Sequence, residues 1–104
     1  MKIKIQSPGF TPRLELINFV HEKINKLTHL YGEIIGSEVC LRLDNSATKE
    51  NKICSIRLFI PGNDLLVSTI YKKFEESIAQ AVEILKRQIK KRKPKILNRQ
   101  HLPR

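Results

Sequence analysis

A chain of 104 residues with 40% hydrophobic composition has the material for one packed core and no room for a second domain. Its Lys and Arg outnumber Asp and Glu by 20 to 10, for a formal net charge of +10 and a pI near 10.0; each cation placed beside a phosphate releases condensed counterions, so the first expected partner is nucleic acid. No apolar run approaches the roughly 18–20 residues that cross a bilayer, and MKIKIQSPGF lacks the apolar segment of about 7–15 residues that a signal peptide carries, so a cytoplasmic protein without a membrane partner is expected.

The opening KIKIQ alternates polar and apolar, with Ile3 and Ile5 on one face, as a half-buried strand does, and Ser7-Pro8-Gly9 breaks it. From Thr11 the period changes. Thr11 or a neighbour is placed to cap a helix and Pro12 suits its first turn, while Leu14, Ile17, Val20, Ile24, Leu27 and Tyr31 recur at three- and four-residue steps. Gly32, free to adopt the left-handed conformation, is placed to end that helix. Three strand signals follow: Glu38–Asp44, Lys52–Ile60 and Leu65–Tyr71, the first two separated by the polar loop Asn45–Asn51 and the last two by the turn Pro61-Gly62-Asn63-Asp64. Within Lys52–Ile60, Cys54, Ile56, Leu58 and Ile60 share one face and Ser55, Arg57 and Phe59 the other. Short connections favour antiparallel pairing here. A second helix spans about Lys73 to Lys93, with Phe74, Ile78, Val82, Leu85 and Ile89 as its apolar stripe and Ala81 beside it. Pro94 is expected to end it, leaving residues 94–104 as a basic flexible tail beyond a domain of residues 1–93. The order is β-α-β-β-β-α, an α+β domain whose two helices cover one face of a four-stranded sheet.

The charge is not spread evenly. Up to Tyr71 the basic residues exceed the acidic by nine to seven, and from Lys72 onward by eleven to three. At about 100° per residue, Lys86, Arg87, Lys90 and Lys91 fall on one solvent-facing arc of the second helix. On the first, Lys23 and Lys26 lie one turn apart and His29 continues their row. Two helices side by side on a sheet would merge these rows into a basic groove or ridge. Such a surface suits RNA phosphates better than base edges, because the A-form major groove is too narrow for a helix and is read through its backbone and shape. Stacking on single strands finds few aromatics, 6% of the chain, and Phe59 and Tyr71 read better as partly covered sheet residues.

Catalysis finds no constellation. His21 and His29 lack a third ligand, Glu75 and Glu76 diverge around a helix start whose dipole favours them, and no phosphate loop or nucleophile elbow occurs. Neither an enzyme nor a metal or cofactor site is expected. Cys40 and Cys54 show no ligand spacing and read as buried free thiols, with a cross-strand disulfide as the alternative.

The element order, together with Glu22-Lys23-Ile24-Asn25-Lys26-Leu27, Glu50-Asn51-Lys52, Pro61-Gly62, Phe74-Glu75-Glu76 and Leu85-Lys86-Arg87-Gln88-Ile89-Lys90-Lys91, resembles the ribosome hibernation-promoting factor family, also called ribosome-associated inhibitor or sigma-54 modulation proteins. The likeness covers about residues 1–95. It implies a double-stranded-RNA-binding-like fold lodged in the small ribosomal subunit, against 16S rRNA and across the mRNA channel and tRNA positions, where occupancy inhibits translation in stress and stationary phase. Carried over by position, Lys23, Lys26, Arg87 and Lys91 match cations that face rRNA, and Lys86 and Lys90 extend them. The chain departs from the family at Lys73-Phe74-Glu75, where an acidic-Met-Tyr lead is usual, and at Gln80 and Ile84, where Lys is frequent. Its length corresponds to the short type, without the domain that pairs ribosomes, and a monomer is expected off the ribosome. Two other readings compete: a general double-stranded RNA-binding module unconnected with the ribosome, and an adaptor whose charge meets an acidic protein.

Overall fold

The structure, a computed structural model, describes residues 2–45 and 49–101, with side chains described as far as Lys91. Its elements are β1 (Lys2–Gln6), α1 (Leu14–Leu30), β2 (Gly36–Leu43), β3 (Lys52–Phe59), β4 (Leu65–Tyr71) and α2 (Phe74–His101). The strands form one sheet in the order β1-β2-β3-β4. Both β2–β3 and β3–β4 pair antiparallel, as their short connections require. β1 instead pairs parallel with β2, Lys2 opposite Gly36 and Gln6 opposite Cys40, and α1 is the crossover that makes this possible. At that seam a Cβ on Gly36 would lie 3.2 Å from the backbone oxygen of Lys2, so β2 begins on a residue without a side chain.

Both tight turns place glycine where the backbone needs it. Gly9 (φ 92°) follows Pro8 in a turn closed by Phe10 N–H to the Ser7 carbonyl at 3.3 Å, and Gly62 (φ 97°) follows Pro61 between β3 and β4. Helix α1 differs from its sequence pattern at both ends. Arg13 occupies the N-cap position without a side-chain cap, and its carbonyl accepts from Leu16 and Ile17, so Pro12 precedes the helix rather than opening it. At the other end Tyr31 donates its N–H to the Leu27 carbonyl at 2.8 Å and turns to an extended conformation (φ −140°). That turn buries the tyrosine ring, and Gly32 is not needed in a left-handed role.

The strand parity is as the sequence prescribes. Cys54, Ile56 and Leu58 of β3 and Val39 and Leu41 of β2 face the helices, and Val20, Ile24 and Leu27 of α1 with Ile78, Leu85 and Ile89 of α2 close over them. Each such aliphatic side chain contributes about 1.5–3 kcal/mol of transfer free energy. The α1 stripe is shifted at its start: Leu14 is 68% exposed and Leu16 is buried in its place. Cys40 and Cys54 sit on opposite faces of the sheet, Cys40 opposite Ser55 and Cys54 opposite Leu41. A disulfide between them is therefore excluded, and Cys40 is half-exposed rather than buried. Burial, and to a smaller degree the neighbouring Cys40, pushes the Cys54 thiol up to about 12.

Both helices start at the same end of the sheet, where Phe10 and Phe74 stack with ring centroids 5.0 Å apart, and so run side by side in the same direction. α2 is pinned to the sheet by two hydrogen bonds: Ser77 Oγ donates to the Lys52 carbonyl (2.6 Å), and Thr69 Oγ1 donates to the Ser77 carbonyl (2.7 Å). The helical backbone does not stop at Pro94 but continues to His101. Proline there has no N–H to donate to the carbonyl of Lys90, and because Lys90 is exposed, water can donate to that carbonyl instead. The side chains of residues 94–104, read from sequence as a flexible tail, lie outside the described residues.

Candidate nucleic-acid interface

The parallel course of α1 and α2 brings cations from both into one place. Lys23, Lys26 and His29 of α1 and Lys86 and Glu83 of α2 rim an open cleft of about 390 Å³ floored by Leu27, Leu30 and Val82. Helical geometry explains the gathering. Val82 and Lys86 are one turn apart on the flank of α2 that meets α1, and Lys23 and Leu27 are likewise spaced on the facing flank of α1. The apolar member of each pair closes the floor and the charged member stands at the rim.

The individual side chains differ in freedom. Lys23 is half-buried, its ammonium 5.4 Å from the Phe19 ring centroid, so aromatic packing holds it in position. Lys26 lies 3.7 Å from Glu22, one turn back, with both side chains more than 60% exposed; such a pair is weak and exchanges readily for a phosphate. Arg87, Lys90 and Lys91 are exposed. Lys90 continues the Lys86 row along α2, whereas Arg87 and Lys91 form the next row outward. The structure thus joins Lys23, Lys26 and Lys86 at the cleft and sets Arg87, Lys90 and Lys91 beside it on the same helical layer.

Glu83 was missed in the sequence, and three further cations lie elsewhere. Glu83 stands at the cleft rim between the cationic rows, one turn before Arg87; its place on the wheel was available, but only the packed pair shows that this flank meets α1. Lys4, Arg42 and Arg57 project from the open face of the sheet, opposite the helices, so part of the positive charge lies away from the cleft. Arg57 is 3.8 Å from Asp64 and covers Phe59 at 6.0 Å, which makes Phe59 a shielded sheet residue and not a free stacking platform. Among the described residues no three His, Cys, Asp or Glu side chains are grouped to hold a metal ion, and no helix is long and apolar enough to cross a membrane.

The backbone is similar to that of a ribosomal subunit interface protein from Coxiella burnetii, with a TM-score of 0.79 at 17% identity, covering 90% of this chain and 99% of that one. It is also similar to the N-terminal domain of Thermus thermophilus Protein Y, with a TM-score of 0.74 at 21% identity, covering 88% and 98%. At such identities the likeness establishes the β-α-β-β-β-α fold. No curated protein matches the sequence. The family model described as sigma 54 modulation protein / S30EA ribosomal protein matches residues 3–97, nearly the whole folded chain, and the protein with its paired parallel helices and cationic cleft belongs to that family.

Proposed function

We propose that this protein is a cytoplasmic ribosome hibernation factor: it binds the small ribosomal subunit through 16S rRNA phosphates, occupies the mRNA and tRNA channel and inhibits translation without catalysing a reaction. The observation that carries the reading is the convergence of Lys23, Lys26 and Lys86 on one interhelical cleft, with Arg87, Lys90 and Lys91 exposed beside it. Cations fixed on two rigid helices present charge at set spacings, which suits the invariant phosphate backbone of folded RNA rather than base edges. Membership of the S30EA ribosomal protein family and the likeness to a ribosomal subunit interface protein supply the ribosome as the source of that RNA.

The test is cosedimentation with purified small subunits, followed by translation in vitro with added protein. Binding to the subunit in preference to a short RNA duplex, together with dose-dependent inhibition, is the expected result. Equal affinity for both ligands would favour a general double-stranded RNA-binding module, and binding to neither would reject the reading.

A further inference from the structure

The two edges of the sheet differ in a way that points to a partner. β1, at one edge, is five residues long and carries Lys2 and Lys4, the kind of charge that keeps an edge strand from pairing with another chain. β4, at the other edge, is seven residues long, LLVSTIY, with no charge and no proline. Its open-face side chains Leu66 and Ile70 are 61% and 40% exposed. On its helix side Leu65, Val67 and Tyr71 are only half-buried, so the core stops short at this edge.

We infer that β4 is a docking edge for a second copy of this chain, pairing antiparallel with its own counterpart about a twofold axis through Ser68. Directly opposite residues in an antiparallel pair face the same side, and this is the register in which all seven residues of β4 find a partner. Leu66 then meets Ile70 of the other copy, Leu65 meets Tyr71, and Val67 meets Thr69. Just beyond both ends of the strand, Lys72 comes opposite Asp64. The edge is therefore apolar along its length and closed at each end by opposite charges, a self-complementary pattern that a two-copy interface requires.

The helix layer accommodates the same arrangement. α2 packs across β3 and β4, and strands lie about 4.8 Å apart. A helix centred between those two strands would lie about 9.6 Å from its counterpart across the axis, within the 8–10 Å of packed helices. The flank of α2 on that side carries Ile84 and Gln88, both half-buried. The product is an eight-stranded sheet with both cationic clefts on one face. This departs from the monomer expected of the sequence, and it does not depend on the proposed ribosomal role.

The test uses the full chain at roughly 0.15 M salt, where the long-range repulsion between two +10 molecules is cut to a Debye length of about 8 Å. Sedimentation equilibrium is expected to show a concentration-dependent dimer. Asp64→Lys and Lys72→Glu each turn both end contacts repulsive and are expected to weaken it on the order of tenfold. Mixing the two variants restores both contacts in the mixed pair, so a heterodimer should form where neither variant pairs with itself, a result that loss of folding cannot imitate. A chain that stays monomeric to about 0.1 mM overturns the inference. So does a dimer indifferent to both substitutions, or one that the mixture fails to restore.

Discussion

Replacing Lys86, Arg87, Lys90 and Lys91 by Gln tests the interface at the level of individual charges. All four lie on the outer arc of α2, three of them exposed and Lys86 half-buried at the cleft rim, and Gln is close to Lys and Arg in helix propensity, so the fold should persist unchanged. If each of the six cations neutralises one phosphate, log Kd changes with log salt at about 0.9 per contact, a slope near 5. Between about 50 and 200 mM salt the unaltered protein then loses roughly a thousandfold in affinity for the small subunit. The fourfold variant keeps only Lys23 and Lys26, its slope falls to about 2, and the loss over the same interval shrinks to roughly tenfold. Fluorescence anisotropy of labelled protein titrated with subunits at four salt concentrations reads the slope directly. A variant whose slope stays near 5 would show that these side chains do not meet phosphates, and the cleft would no longer explain binding.

Other outcomes follow from the core and the thiols. Alkylation at pH 8 followed by mass spectrometry should modify half-exposed Cys40 in the folded protein and leave Cys54 unmodified, since burial holds Cys54 protonated. Because the Cys54 thiol ionises near 9 when unfolded but only near 12 when folded, the unfolded chain releases its proton first, and stability should fall between those pH values by about 1.4 kcal/mol per unit. Denaturant unfolding of Cys54→Ala alongside the parent should show this slope lessened. Ser77→Ala removes the hydroxyl that donates to the Lys52 carbonyl and should cost about 1–2 kcal/mol in the same assay, while the bond from Thr69 to the Ser77 backbone oxygen survives. Ile24→Ala, at a fully buried position on the sheet-facing side of α1, should cost about 2–5 kcal/mol with an unchanged denaturant slope.

Elements whose side chains alternate against a single buried face were legible in the sequence. Ile56 and Leu58 against Arg57 and Phe59 gave β3 its parity without ambiguity, and Ile78, Leu85 and Ile89 gave α2 its buried stripe. Element ends were less legible, because they depend on what neighbouring segments bury. Tyr31 ends α1 by turning its ring into the core, a tertiary event that overrides the local preference of Gly32. Pro94 costs one backbone bond, to the carbonyl of exposed Lys90, and the helical backbone continues past it to His101. For the site, spacing placed Lys86 and Lys90 in one row and Lys23 near Lys26. It did not show that the Lys86 row alone faces α1, nor that Glu83 stands in that cleft, because both follow from which flank of each helix is packed against the other.

The parallel seam between β1 and β2 also orders the assembly of the molecule. β2, β3 and β4 close through neighbouring hairpins, and α2 follows at once, so these contacts form at low entropic expense. β1 has no such neighbour, since Lys2 meets Gly36 only when α1 has spanned the distance between them. Of the three strand pairings this one closes the longest stretch of chain, so the seam is the sheet contact whose formation carries the largest loop-closure entropy.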